Sequence, residues 1–142
     1  MSPREAVMDI AESVQALLSS KECVIERFYD RLLADSPELR RHFANRDMRV
    51  QASMLTMAAV SVEAYYSHGF PAIEHYLKVL GNRHFHEGVR ADDYPKFQAA
   101  FLATLEEFFA DDWQPVLAEQ WRKALELAVS TMLKGYDRTL TM

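Results

Sequence analysis

The stretch PAIEHYLKVLGNRHFHEG at residues 71–88 decides how the rest of the chain is interpreted. A proline at its start and a glycine at its end are typical of the two ends of a helix. Ile73, Leu77 and Leu80 recur at helical spacing, and His84 continues their line one turn further on. An imidazole on an apolar helix face is either a core histidine bonded to the backbone or a ligand to a metal or a haem. The segment alone favours the core histidine.

Helices are predicted on both sides of this segment as well. Capping residues, prolines and apolar periodicity place helix starts near Ser2, Ser19, Ser36, Asp47, Pro71, Asp92 or Asp93, and Pro115. The helix that starts at Ser36 is short and ends near Phe43. Further inward-facing residues are predicted at Val7, Ile10, Val14, Leu17, Leu18, Val24, Ile25, Phe28, Leu32, Leu33, Met48, Ala58, Val62, Tyr65, Phe101, Leu105, Phe108, Val116, Trp121, Leu125, Ala128 and Met132. We therefore predict an all-α domain with six long or medium helices and one or two short ones.

Composition limits the class of protein. The 142 residues are enough for one domain with a buried core, and 49% of them are hydrophobic. The net charge is −5, and the basic residues form no stripe along the sequence. Neither nucleic acid nor an anionic membrane is therefore an expected partner. A lone cysteine, Cys23, and an N-terminus without an apolar run favour a cytoplasmic protein without a signal peptide.

Two polar residues interrupt otherwise apolar helix faces. Tyr29 and Gln51 both stand on stripes that are predicted to face inward. A buried phenol or amide needs a hydrogen-bond partner. Each side chain therefore bonds a nearby backbone group or lies at the rim of the core, or else both point into a shared cavity and contact a ligand there.

The remaining histidines give little support for a metal site. His86 lies two residues from His84, and residues so spaced do not share a helix face, so a zinc pair is a weak hypothesis. His42, His68 and His75 are predicted on the surface. No nucleophile–base pattern or phosphate-binding loop is present in the sequence, and no catalytic residue is predicted.

Three segments together carry a family resemblance: FYDRLLADSPELRRHF (28–43), DMRVQASML (47–55) and RHFHEGVRADDYP (83–95). In order they give an aromatic–Tyr pair, a PEL…F segment, a Gln with Leu four residues on, an Arg–His pair, a Gly–Val and a Tyr–Pro. The set resembles the bacterial single-domain globins and the globin domain of flavohaemoglobins over essentially the whole chain. The resemblance implies a single globin domain over residues 1–142, with six to eight helices around a pocket for haem b (iron protoporphyrin IX).

The resemblance also implies roles for individual residues. His84 would be the proximal iron ligand, with its other ring nitrogen donating to a backbone carbonyl such as that of Leu80. Tyr29 and Gln51 would be the distal polar pair, and Leu55 the apolar residue over the iron. The haem would further contact Phe43, Leu80, Val89, Tyr94 and Phe97, with Phe28, Phe101 and Met132 as additional wall candidates.

Two departures from the flavohaemoglobin pattern stand out. Tyr136 occupies the position of a glutamate that joins the family's tyrosine and proximal histidine in a network. Without that carboxylate we expect His84 to donate less electron density to iron. The printed chain ends at Met142, so no flavin or nicotinamide domain is expected within it.

Three functions follow from the resemblance. The first is reversible binding of oxygen or another diatomic gas, nitric oxide or carbon monoxide, for storage, transport or buffering. The second is nitric oxide dioxygenase activity, which would need a separate reductase as partner. The third is a sensor or interaction module that has kept the fold. A homodimer through the last two helices is expected by analogy only.

Overall fold

The computed structural model describes residues 7–20 and 24–136, and these residues form helices joined by short loops. The six α-helices are α1 (Ile10–Ser19), α2 (Val24–Asp35), α3 (Met48–His68), α4 (Pro71–His86), α5 (Tyr94–Phe109) and α6 (Pro115–Leu133). Short 3₁₀ segments cover Pro37–Phe43, Ala91–Asp93 and Ala110–Asp112. The described residues contain no strand, so the predicted all-α class is confirmed, with three short segments instead of one or two.

The first helix begins later than predicted. Asp9 caps α1: its carboxylate accepts from the backbone of Glu12, whose own side chain bonds back to Asp9. Val7 therefore precedes the helix and is exposed, and Leu18 is exposed too, so both were wrongly predicted to face inward. The predicted cap at Ser2 lies outside the described residues.

The start of the second helix differs from the prediction in a similar way. Ser19 is the last residue of α1 and not a cap, and α2 begins at Val24. Glu22, the predicted partner of Ser19, and Cys23 lie outside the described residues.

Two helices follow their predicted boundaries closely. The Asp47 side chain accepts from the backbone N–H of Arg49, 2.9 Å away, and so caps α3. Gly69 ends that helix with a φ of 64°, a left-handed conformation that glycine adopts without strain. Pro71 then opens α4 in its first turn, as predicted.

The core is built around three large aromatic side chains. Phe28 of α2 packs edge-on against Phe101 of α5, and Phe101 packs edge-on against Trp121 of α6. The Trp121 Nε1–H donates to Oγ of Ser13 at 2.9 Å, so the buried indole is satisfied. These contacts join α1, α2, α5 and α6.

None of the described helices is long and apolar enough to span a membrane.

At one end of α5 and one end of α6, the buried residue lies one position further along the chain than predicted. Phe109 is buried at the end of α5 while the predicted Phe108 is half-buried, and Leu117 is fully buried while the predicted Val116 is exposed. One residue turns a helix face by about 100°, so an error of a single position exchanges inside and outside. The remaining predicted residues of α6, from Trp121 to Met132, are buried.

Two glycines let α4 and α6 approach closely. A Cβ on Gly81 would lie 1.9 Å from the carbonyl oxygen of Met132, and one on Gly135 would lie 2.1 Å from that of Lys78. Asn82 Nδ2 donates to the carbonyl of Gly135 at 2.9 Å across the same contact. The helix that carries His84 is thus held against the end of α6 at backbone distance.

Candidate functional site

His84 lies half-buried near the end of α4 and contacts the first residue of α5. Its Nδ1 is 3.1 Å from the hydroxyl oxygen of Tyr94. The structure therefore gives Nδ1 a tyrosine as partner and not the expected carbonyl of Leu80. This contact leaves Nε2 as the ring nitrogen for a metal. Burial lowers the pKa of His84, which favours the neutral imidazole that binds metals.

A line of hydroxyl groups continues from His84. Tyr136 Oη lies 3.0 Å from Oη of Tyr94 and 2.9 Å from the carbonyl oxygen of Val89. The Val89 carbonyl can only accept a hydrogen bond, so Tyr136 donates its single hydroxyl hydrogen to that carbonyl. Tyr94 then donates to Tyr136, and Nδ1–H of His84 donates to Tyr94. The hydrogen count thus fixes the tautomer in which Nε2 carries the lone pair.

The hydrogen-bond network around His84 consists of neutral groups in this arrangement. Burial, followed by the bond to Tyr136, raises the pKa of Tyr94 well above its usual range, and burial also raises the pKa of Tyr136. Both phenols therefore keep their hydrogens at neutral pH. The line that starts at His84 ends on the backbone carbonyl of Val89 and not on a carboxylate.

Tyr29 and Gln51 contact each other across α2 and α3. Gln51 Nε2 donates to the hydroxyl oxygen of Tyr29 at 3.1 Å. Of the two interpretations open at the sequence level, this geometry favours a shared polar pair over separate bonds to nearby backbone. Because Tyr29 accepts in this bond, its own hydroxyl hydrogen is left to donate elsewhere.

The Tyr29 ring is held in place by aromatic neighbours. It packs edge-on against Phe28 and Phe43, with ring centroids 4.9 and 5.3 Å away. Burial raises its pKa to about 12, although the bond from Gln51 and the charge of Arg46 act in the opposite direction. The phenol is therefore a neutral hydrogen-bond donor over the whole physiological pH range.

Most of the predicted apolar site residues are only half-buried although they pack against the core. This group consists of Phe43, Leu55, Leu80, Val89 and Phe97. Two other wall candidates differ, because Phe28 and Phe101 are 0% and 2% exposed and are covered by protein on all sides. Met132 is also buried. Phe28 and Phe101 therefore belong to the core behind the half-buried residues.

His42 is not the surface residue that its position suggested. Its Nε2 atom is buried. Among the buried side-chain nitrogens and oxygens of the described residues, this atom is the one that has no hydrogen-bond partner. Native proteins rarely leave such an atom unsatisfied. The other predictions for histidines are confirmed, because His68, His75 and His86 are exposed.

The residues present suit a haem. They supply a neutral imidazole with Nε2 available, a set of half-buried apolar side chains, and in His42 a buried polar atom that lacks a partner. No group of three or more His, Cys, Asp or Glu side chains within residues 7–20 and 24–136 is arranged to hold a bare metal ion. A separate cavity of about 350 Å³ lies between α1, α2 and α3, and none of the predicted haem-contact residues lines it.

Comparisons with known proteins agree with this architecture. The globin family matches residues 26–132. The flavohemoprotein of Bacillus subtilis (strain 168) is 26% identical over 126 residues, which cover 87% of this chain and 31% of that protein. The flavohemoprotein of Bacillus thuringiensis subsp. konkukian (strain 97-27) is 30% identical over 105 residues, which cover 72% and 26%. The chain spans less than a third of the length of these relatives. Since the family match covers most of its residues, the chain belongs to the globin family.

Proposed function

We propose that residues 1–142 form one globin domain that binds haem b through Nε2 of His84 and reversibly binds oxygen or another diatomic gas. One observation carries this proposal: two hydrogen-bonded pairs each leave one functional atom unused. The Tyr94 contact leaves Nε2 of His84, and the Gln51 contact leaves the hydroxyl hydrogen of Tyr29. A metal-binding nitrogen and a hydrogen-bond donor are the two groups that a gas-binding globin needs.

When bound, the haem would supply an iron that can bind a small gas molecule. Tyr29 would offer its hydroxyl hydrogen to a gas molecule held in the site, and Gln51 orients that hydroxyl by bonding to its oxygen. The half-buried residues Phe43, Leu55 and Phe97 exclude water from the site. Such a donor would favour a ligand that carries partial negative charge, so oxygen should gain more from it than carbon monoxide.

On the proximal side, Tyr94, Tyr136 and the Val89 carbonyl orient the His84 ring. This network is neutral, so we expect weaker electron donation from His84 than a carboxylate would produce. Tyr136→Glu introduces that carboxylate and should lower the midpoint potential of the iron, whereas Tyr136→Phe should not. Spectroelectrochemical titration of both variants measures this, and an unchanged potential in Tyr136→Glu would contradict the expectation.

The decisive experiment is titration of the purified chain with haem, followed by absorbance spectra of the ferric, ferrous and carbon monoxide forms. We expect stoichiometric uptake with a Soret band. His84→Ala should lose the haem or bind it far more loosely, while His86→Ala, a change at an exposed neighbour, should leave the spectrum unaltered. A histidine-ligated spectrum that survives in His84→Ala would refute the assignment. Absence of any Soret band in the wild-type chain would favour the sensor or interaction module.

Nitric oxide dioxygenase activity is the second candidate, favoured by the similarity to proteins named flavohemoproteins. The reaction leaves ferric iron, so each turnover needs an electron from a flavin-containing reductase. Nitric oxide consumption with a generic flavin reductase and reduced nicotinamide distinguishes the candidates. Sustained turnover would indicate the enzyme, and a single stoichiometric reaction would indicate a gas-binding protein.

A further inference from the structure

The side chain of His42 has a buried nitrogen that nothing in the described structure satisfies. His42 belongs to the 3₁₀ segment Pro37–Phe43 and directly precedes Phe43, whose ring packs on Tyr29. Nε2 of His42 is buried without a hydrogen-bond partner. Because an unsatisfied buried polar group is costly, the atom needs a partner that residues 7–20 and 24–136 do not supply.

Several contacts place His42 beside the end of α4, close to His84. Arg46 Nε donates to the carbonyl of His42 at 3.3 Å, and Arg46 also pairs with Glu87 at 3.2 Å. Glu87 is the C-cap residue that directly follows α4, three positions after His84. The chain after the 3₁₀ segment is therefore fastened to the helix that carries the candidate haem ligand.

The charged residues near His84 belong to the same part of the structure. Glu87, Arg83, His42 and Arg46 all lie near enough to His84 to interact with it electrostatically. Two arginines, Arg83 and Arg46, thus lie near this side of the site against one acidic residue, which is itself paired with Arg46. In a chain of net charge −5, such a local excess of basic groups suits an anionic ligand.

Haem is an anion at one edge, where it carries two carboxylates. A ring N–H is a suitable donor to a carboxylate, and such charge-assisted bonds are stronger than neutral ones. A second metal ion is a poorer explanation, since no three potential ligands converge in the described residues. A second axial ligand to the same iron is tested by the spectrum below.

We propose that Nε2 of His42 donates a hydrogen bond to one of the two haem carboxylates, with Arg46 beside it as the fixed charge. This inference rests on the proposed haem binding and specifies which residue recognises the acidic edge. His42 is a binding residue for the cofactor and takes no part in binding the gas.

The experiment compares haem with haem dimethyl ester, in which both carboxylates are blocked, in wild type and in His42→Leu. The rate at which each pigment passes to an excess of a haem-scavenging protein is measured. We expect His42→Leu to release haem about ten times faster or more, the loss typical of a hydrogen bond to a charged group. The same variant should release the dimethyl ester at the wild-type rate.

Two further variants keep this comparison decisive. His42→Gln retains a donor and should release haem at a rate between those of wild type and His42→Leu. His68→Leu is the matched control, because His68 is exposed, and should behave as wild type. If His42→Leu does not fold, the comparison rests on His42→Gln. Relative to wild type, that variant must accelerate the release of haem by a larger factor than it accelerates the release of the ester.

Three results would overturn the inference. Equal release of haem from wild type and His42→Leu would show that the bond is absent. Equal acceleration for haem and its ester would show that His42 acts only by packing. A change of iron coordination in the ferric spectrum of His42→Leu would show that His42 binds iron. In all three the wild type still binds haem, so the proposed function survives, whereas a wild type that takes up no haem overturns both.

Discussion

At the scale of single residues, the distal pair makes unequal contributions to gas binding. Gln51 donates one of its two amide hydrogens to Tyr29 and thereby orients the hydroxyl hydrogen that Tyr29 has left for the gas, so we expect Gln51 to act mainly through Tyr29. Tyr29→Phe should therefore accelerate oxygen release about ten- to a hundredfold, the effect of losing one hydrogen bond to a charged acceptor. Gln51→Leu should have a smaller effect, and the double variant should be no faster than Tyr29→Phe.

Stopped-flow displacement of oxygen by carbon monoxide measures these rates. Carbon monoxide release should change much less, and Tyr76→Phe, an exposed tyrosine, serves as the control. Equal effects of Tyr29→Phe on both gases would contradict the hydrogen-bond explanation. Additive effects of Tyr29→Phe and Gln51→Leu would contradict the action of Gln51 through Tyr29.

Residue identity alone located some of these groups and missed others. Tyr29 and Gln51 were identified as polar residues on apolar stripes, because periodicity reports which side of a helix a residue is on. His42 was missed because it lies in a 3₁₀ segment, where that periodicity does not hold. The partner of Nδ1 was missed because Tyr94 is ten positions from His84, and only the fold shows that they meet.

At the scale of elements, the contact between α4 and α6 positions His84. Helix propensity alone says that Gly81→Ala should stabilise α4 by about 1 kcal/mol. The structure gives the opposite sign, since the new Cβ would lie 1.9 Å from the backbone carbonyl of Met132. The helices would have to separate, so we expect a net loss of about 2 kcal/mol or more in the free energy of unfolding.

Urea unfolding followed by circular dichroism measures this loss. Ala72→Gly, at an exposed position in the first turn of α4, tests the propensity effect without the steric one and should cost at most about 1 kcal/mol. If Gly81→Ala proved more stable than wild type, the close packing of α4 against α6 would be wrong. The same variant should release haem faster, because His84 lies three residues further along α4.

Sequence signals predicted helices well where a cap and a stop coincide. Asp47 and Gly69 bound α3 at the expected places because both act through their own backbone geometry. The start of α1 was misplaced because Ser2 and Asp9 both offer a cap followed three residues later by Glu, and local chemistry does not choose between them. The approach of α4 to α6 was not predicted either, since a glycine inside a helix does not reveal which neighbour it admits.

At the scale of the whole molecule, the fold is organised as a closed core with an apolar margin. Phe28, Phe101 and Trp121 are covered completely, whereas Phe43 and Phe97 pack on that core and remain partly exposed. Exposed apolar area costs roughly 25 cal/mol per Å², so a flat apolar ligand that covers this margin should stabilise the fold as a whole.

Haem should therefore raise the stability of the entire chain and not only occupy a site. A ligand present at about one hundred times its dissociation constant stabilises the native state by about 2.7 kcal/mol. We expect at least that difference in the free energy of unfolding between haem-loaded and haem-free protein. His84→Ala should abolish most of the difference because the iron bond is lost, whereas His86→Ala at an exposed position should keep it. Coincident unfolding curves for the loaded and haem-free wild type would mean that the half-buried residues of the margin are not the haem contact.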